Sequence, residues 1–286
     1  MTTIAFFGLG NMGVPIVKNL LAAGFIVKSA VHNGNMNGPN KVAAYGAQIT
    51  DSIEAAVKDA DIIMSIVPDD AAVKEIYLNE AMHQYVKENA VIIEMTSCSA
   101  ETVIAVQKYY DDKQVKVIDA PVTGAKIGAE TGNLTILGAG EAETFQKVQP
   151  VLDAISKKVY QLGPVGNGKF VKAVTNLMGA VNLAMAGEIC RIVKKQGMDL
   201  GQFFAVAQES AGGSTQFTRN FNRMVQEDFT TTFALKLLRK DMDLALDMAD
   251  KELSLPISNF VYQIYEAAAI YDNEDCSAIV KADKVM

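Results

Sequence analysis

The chain holds 286 residues, 50% hydrophobic and 21% charged, with a formal net charge of -7 at pH 7. That length suits two domains of roughly 100–200 residues each. An acidic surface repels polyanions, so no nucleic-acid and no membrane partner is expected. The first ten residues run straight into a strand-like segment with no basic stretch followed by an apolar one, so no secretory leader is expected. No apolar stretch reaches the ~20 residues that span a bilayer. Cys98, Cys190 and Cys276, odd in number and scattered, read as reduced thiols, and a cytoplasmic location is the expectation. Histidine is confined to His32 and His83. No ligand-type residues fall at zinc-like spacing, so no metal site is expected, and acid–base chemistry falls to lysine, a carboxylate or tyrosine.

Thr3–Phe7 is a short apolar run ending at Gly8, the pattern of a buried parallel strand. After Gly8–Gly13, apolar residues recur at helical spacing over Val14–Ala23, Gly24 ends that helix, and Ile26–Val31 forms a second strand. Further apolar runs follow at Ile62–Val67, Val91–Met95 and Val115–Ala120, with a helix-like stretch at Asp70–Asn89, and Leu134–Leu137 and Lys158–Leu162 complete the series. Strands separated by helices imply an α/β fold, a doubly wound parallel sheet of Rossmann type. The pattern changes near Gly163-Pro164. Phe170–Lys195 is a long helical stretch, nearly apolar on every side through its middle, and would span roughly 39 Å. A helix apolar all round needs burial on all sides, so this interdomain helix is expected to pack on its own domain and on a partner subunit. From Leu200 onward the periodicity is helical. The expectation is a Rossmann domain over 1–163 and an all-α domain for substrate and dimerisation over 164–286.

Gly8-Leu9-Gly10-Asn11-Met12-Gly13 follows a strand and opens a helix, the context in which such a turn binds a dinucleotide. Gly8 permits the tight turn, Gly10 lets the backbone approach the pyrophosphate, and Gly13 lets helix and strand pack closely. The plainer reading is a glycine turn without a ligand. At the end of the second strand Ala30-Val31-His32-Asn33 carries no acid for a ribose 2′-hydroxyl, which favours NADP(H) over NAD(H). His32, Asn33 or Lys41 could meet a 2′-phosphate, or His32 is a solvated loop residue.

Lys172 and Asn176 stand four apart at the start of the long helix, on one face and among apolar neighbours. An unpaired buried ammonium is costly, so Lys172 needs a partner or a wet cleft. A lysine so placed can act in acid–base chemistry, or it can snorkel to solvent at a helix start.

Several motifs in one order resemble the β-hydroxyacid dehydrogenase family, which includes 3-hydroxyisobutyrate dehydrogenase, tartronate semialdehyde reductase and glyoxylate/succinic semialdehyde reductases. The resemblance is carried by Phe7–Gly13, by Asp119-Ala120-Pro121-Val122-Thr123-Gly124-Ala125 with its continuation Gly128–Thr135, by Gly166–Asn176, and by Phe233, Lys240 and Asp241. It implies that Lys172 is the general acid/base, that Asn176 orients the substrate, and that Thr123, Gly124 and Ala125 hold the substrate carboxylate. It further implies that Thr96 or Ser97 contacts the cofactor, that Val67-Pro68 lines its adenosine-ribose side, that Lys240 lies at its nicotinamide end between the domains, and that Phe233 is a further cofactor-binding residue. The implied activity is NAD(P)-dependent hydride transfer on a small 2- or 3-hydroxy acid or semialdehyde, in a homodimer or homotetramer. Three departures stand out: Thr123 and Ala125 replace Ser and Gly, and Glu94-Met95-Thr96-Ser97 replaces Asp-Met-Ser-Thr. Lys126 could favour a second anionic group on the substrate, or be a solvated loop lysine. Cys98, beside the expected nicotinamide contact, is either oxidation-sensitive or inert packing. Retention of Lys172, Asn176 and Lys240 weighs against the alternative, a non-catalytic NADP-binding sensor or scaffold.

Overall fold

Ile4 and Phe6 face one side of their strand and Ala5 and Phe7 the other, and all four are buried. A strand apolar on both faces belongs in the middle of a parallel sheet covered by helices. The computed structural model, which describes residues 1–31, 34–249 and 252–284, places it there. Strands β1 (Thr3–Phe7), β2 (Ile26–Ala30), β3 (Gln48–Thr50), β4 (Ile62–Ser65), β5 (Val91–Glu94) and β6 (Lys116–Asp119) form one six-stranded sheet in the order β3-β2-β1-β4-β5-β6. Every pairing in it is parallel. The strand order reverses between β1 and β4, and ligands of such sheets bind at that switch point, beyond the carboxyl ends of the strands.

Helices cover both faces. Helix α1 (Gly13–Ala22) contributes Ile16, Val17 and Leu20 to the core on the Ile4/Phe6 side. The opposite core, on the Ala5/Phe7 side, takes Val57 from α3 (Ile53–Val57), which follows α2 (Asn37–Ala43). It also takes Tyr77 from α4 (Asp70–Tyr77), Met82 from α5 (Glu80–Tyr85), and Val103 and Val106 from α6 (Ala100–Tyr109). The stretch expected as one helix over Asp70–Asn89 is thus two. The break falls at Leu78-Asn79, where Asn79 Oδ1 accepts the N–H groups of Ala81 and Met82 and starts the second helix.

The strands after Asp119 do not extend the main sheet. β7 (Val122–Thr123), β8 (Leu134–Gly138) and β9 (Ser156–Gln161) form a separate three-stranded sheet, with β7 antiparallel and β9 parallel to β8. Helix α7 (Ala125–Glu130) lies between β7 and β8, and α8 (Ala142–Asp153) between β8 and β9. Asp119 and Ala139 join the two sheets by a reciprocal bridge, N–H to O at 2.9 and 2.7 Å.

The chain divides into two compact units, Met1–Lys172 and Ala173–Met286. Helix α9 (Asn167–Lys195), 29 residues long, starts in the first and continues as the opening element of the second. The second unit adds α10 (Leu200–Glu209), α11 (Thr215–Gln226), α12 (Leu235–Met248) and α13 (Pro256–Ala267). Its core gathers Leu183 and Cys190 of α9 with Phe221, Leu238, Met242 and Tyr265, and the Tyr265 hydroxyl donates to the Ala180 carbonyl at 3.0 Å. Among the described helices α9 is long and apolar enough by length and composition to cross a membrane, contrary to the sequence expectation. It is nonetheless built into a core. Nor is it buried on every side: Met178, Met185 and Ile192 are 63%, 56% and 56% exposed.

Candidate active site

The glycine turn lies where β1 ends, against the segment leaving β4. Gly8 has φ +93°, and a Cβ there would stand 2.0 Å from the Ile66 carbonyl oxygen. A Cβ on Gly13 would stand 1.8 Å from the Gly8 oxygen, so α1 meets the turn backbone to backbone. Around Gly10 nothing lies within 4 Å of such an atom. In the first turn of α1 the Val14 and Ile16 N–H groups donate to the Gly10 and Met12 carbonyls at 3.1 and 3.3 Å and Pro15 has none, so what this helix start offers an anion is chiefly the positive end of its dipole. Two tight glycines below and one open one above form a cradle that fits a dinucleotide pyrophosphate. Gly38 of α2, which sequence reasoning passed over, closes on the same turn: its Cβ would stand 2.3 Å from the Leu9 oxygen. His32 and Asn33 lie outside the described residues. Lys41 is exposed on α2.

The loops after β4 and β5 meet. Buried Thr96 accepts the Val67 N–H on Oγ1 at 3.0 Å and donates its own N–H to Glu94 Oε1 at 2.9 Å. Pro68 is exposed and Ser97 half-buried. Glu94 Oε1 also accepts the Ser65 hydroxyl at 3.2 Å, and Ser65 Oγ accepts that of Tyr77 at 2.8 Å.

A fully buried ion cluster lies beneath these loops. Lys169 Nζ donates to Glu94 Oε2 at 2.6 Å and to the Glu94 carbonyl at 2.9 Å, and stands 3.0 Å from Asp119 Oδ1. Asp119 Oδ2 accepts the N–H groups of Gly166 at 3.1 Å and Lys169 at 3.0 Å. Burial works against the charge of the Lys169 amine, but the Asp119 and Glu94 carboxylates reverse this and hold it above the usual lysine range. Sequence reasoning singled out Lys172 on this segment and missed Lys169. The available signal was a second lysine among small and apolar residues, opposite strands β5 and β6 that each end in an acid. Cys98 is buried, its thiol 3.6 Å from Glu94 Oε2, and burial pushes its pKa up. This is the inert-packing role.

Lys172 and Asn176 are both half-buried on α9, one turn apart. Asn176 Nδ2 donates to Asp241 Oδ2 at 2.6 Å, and Lys240 Nζ is 3.2 Å from Asp241 Oδ1. Asp241 is 2% exposed. It therefore joins two residues that the sequence motifs had named separately. Phe233 precedes α12 in a segment tied to buried Asp275, which accepts the N–H groups of Thr232 and Phe233 at 2.8 and 3.1 Å and pairs with Arg223 at 3.0 Å.

Thr123 ends β7 and is exposed, as are Ala125 and Lys126 beyond Gly124. Ala125 holds φ +52°, a left-handed conformation that suits the glycine it replaces. Lys126 Nζ is 3.5 Å from Glu130 Oε1, and both side chains are about half exposed. Among the described residues no group of three or more His, Cys, Asp or Glu is placed to hold a metal ion.

Residues 3–163 match the family described as the NAD binding domain of 6-phosphogluconate dehydrogenase. Residues 166–282 match the family described as NAD-binding of NADP-dependent 3-hydroxyisobutyrate dehydrogenase. A 2-(hydroxymethyl)glutarate dehydrogenase of Eubacterium barkeri is 34% identical, over 97% of this chain and 93% of its own. Glyoxylate/succinic semialdehyde reductase 2 of Arabidopsis thaliana, a chloroplastic protein, is 28% identical over 99% of this chain and 79% of its own. The solved structure of Mycobacterium tuberculosis 3-hydroxyisobutyrate dehydrogenase with L-serine superposes with a TM-score of 0.90 at 26% identity, covering 99% of both chains.

Proposed function

The chain belongs to the NAD(P)-dependent β-hydroxyacid dehydrogenase family, and from that premise we propose that it interconverts a small hydroxy acid and its carbonyl compound with Lys172 as general acid and base. Oxidoreduction of hydroxy acids with a nicotinamide cofactor is the family's chemistry, and this chain is an enzyme of that kind. Bound nicotinamide supplies the hydride chemistry. In the reducing direction negative charge grows on the carbonyl oxygen, and the Lys172 ammonium stabilises that charge and gives up its proton. In oxidation the Lys172 amine takes the hydroxyl proton. Thr123, Gly124 and Ala125 hold the substrate carboxylate, and Asn176 orients the reacting group.

The observation that carries this reading is the Asn176–Asp241–Lys240 chain. It holds the Asn176 amide in one orientation a single helical turn beyond Lys172. Lys240 is assigned to the nicotinamide end, Val67 and Pro68 to the adenosine-ribose side, and Phe233, Thr96, Ser97 and the turn from Gly8 to Gly13 to further contacts with the cofactor. The NAD(P)-binding domain is assigned to residues 1–163, which also carry the carboxylate contacts at Thr123, Gly124 and Ala125, and the substrate and dimerisation domain to 164–286, which also carries Phe233 and Lys240. The absence of an acid in the sequence Ala30-Val31-His32-Asn33 supports NADP(H) over NAD(H). The substrate is a 2- or 3-hydroxy acid or a semialdehyde. The Lys126–Glu130 pair supports a solvated role for Lys126 rather than contact with a second anionic group. Met178, Met185 and Ile192 recur every seven residues on α9 and stay exposed, which supports pairing with a second copy in a homodimer or homotetramer.

The test is a panel of semialdehydes, glyoxylate and hydroxy acids, including a branched hydroxy diacid, run with both cofactors. Replacing Lys172 by Ala lowers turnover by about 10²–10⁴-fold and leaves the dissociation constant of NADPH unchanged. Near-normal turnover by that variant overturns the assignment. Cofactor binding without turnover of any substrate by the wild-type chain favours the sensor reading.

A further inference from the structure

We propose that Lys169 is a positioning residue for catalysis, locking the first turn of α9 onto the carboxyl ends of β5 and β6 so that Lys172 is held in its reactive place. The proposal rests on the reading of Lys172 given above. Lys169, Glu94 and Asp119 are among the least exposed residues of the molecule, at 1%, 0% and 0%. Burying three ionisable side chains together is a poor way to add stability, because apolar side chains of similar volume commonly do as well or better. What such a cluster does well is fix one geometry.

Here the geometry has three parts. Asp119 Oδ2 takes two backbone N–H groups of the segment that opens α9, those of Gly166 and Lys169. The Lys169 ammonium reaches down to the last residues of two neighbouring strands, Glu94 and Asp119. Gly168, between these ties, is pressed so close to the small sheet that a Cβ would stand 2.3 Å from the Leu137 oxygen. The first turn of α9 is thereby held by its main chain, by a side chain and by contact. Lys172 follows Lys169 by three residues, about 4.5 Å along the axis and on a neighbouring part of the same face. The same Glu94 carboxylate holds the Thr96 N–H, and Thr96 holds Val67. One ammonium thus ties the proposed acid–base helix to two loops assigned to the cofactor. A displacement of about 1 Å in a reacting group costs on the order of 10²-fold in rate.

The experiment compares Lys169→Met, Glu94→Gln, the double variant and Lys172→Ala in the full-length protein, below the thermal transition of each. Lys169→Met leaves two buried carboxylates facing one another, so it loses both stability and turnover. In the double variant one of those charges is gone, and the melting temperature returns toward that of Glu94→Gln. Its kcat nevertheless stays on the order of 10²-fold below that of Glu94→Gln, with KM for the hydroxy acid and the dissociation constant of NADPH close to those of Glu94→Gln. A purely structural lysine gives the opposite split, in which turnover recovers together with stability, and that result overturns the proposal. Where Lys169→Met does not fold, the double variant against Glu94→Gln decides alone. Lys172→Ala separates the two claims: if it stays active, the Lys172 reading fails, whereas a dead Lys172→Ala beside a fully active double variant removes Lys169 only.

Discussion

Alanine at Gly10 and alanine at Gly13 should have opposite profiles, because the two glycines serve different neighbours. At Gly13 the added methyl would stand 1.8 Å from the Gly8 oxygen and 3.0 Å from the Phe6 ring. A normal C···O contact is about 3.3 Å, so α1 must retreat by roughly 1.5 Å and loosen Ile16, Val17 and Leu20 in the core. Overpacking of this kind costs about 1–3 kcal/mol, which at about 2–4 °C per kcal/mol for a domain of this size shows plainly in thermal unfolding. At Gly10 the methyl meets no protein atom within 4 Å, so stability changes by less than about 0.5 kcal/mol. The methyl does occupy the space through which a pyrophosphate would approach the backbone. A loss of about 1.4–2.8 kcal/mol in binding is a 10–100-fold rise in the dissociation constant, read by titrating NADPH fluorescence. Gly24→Ala is the control: it sits at φ +88° in open space, so it loses about 1–2 kcal/mol of stability through backbone strain and binds cofactor normally. Unchanged NADPH affinity in Gly10→Ala would refute the cradle.

Ala125→Gly relieves a left-handed alanine at φ +52°. The strain released, about 1–2 kcal/mol, offsets the greater freedom of glycine in the unfolded chain, about 0.4–1 kcal/mol, so the melting temperature should hold or rise, and a clear fall would count against the strain. Burial pushes the Asp275 carboxyl up, but the Thr232 hydroxyl and the N–H groups of Thr232, Phe233 and Ser277 more than reverse this and hold it below the usual range. A depressed folded-state pKa contributes stability that is present above the unfolded value, near 4, and is lost as pH falls through the folded one. Urea midpoints should therefore fall steeply below about pH 4, and Asp275→Asn should flatten that part of the profile. An equally steep fall in the variant would assign the acid sensitivity to other carboxylates.

The central parallel strands were readable because their apolar runs are flanked by glycine, proline and helical periodicity. β3 was not: Gln48-Ile49-Thr50 is an edge strand of three residues with one aliphatic side chain, and no period-2 signal survives at that length. β8 and β9 were recognised as strands, but a run of apolar residues does not say which strand it will pair with. Their assignment to a second sheet depends on the bridge at Asp119 and Ala139. The long helix was recognised but begins at Asn167 rather than Phe170, because Asp119 supplies partners for the N–H groups of Gly166 and Lys169 from 47 and 50 residues away. In the candidate site the residue types were legible from motifs. The linking role of the acids was not, although Glu94, Asp119 and Asp241 stand in those motifs, because Glu94 meets Lys169, Asp119 meets Gly166 and Lys169, and Asp241 meets Asn176 across 47 to 75 residues of chain.

The bridge at Asp119 also bears on the order of assembly. Its main chain stitches one sheet to the other while its side chain clasps the opening of α9, so that opening cannot settle until both sheets have found their register. Contacts across such separations form late, after the entropy of closing long loops has been overcome. A nascent or partly folded chain can therefore carry its glycine turn early, but the opening of α9, and with it the amine proposed as acid and base, has no fixed place until both sheets are paired.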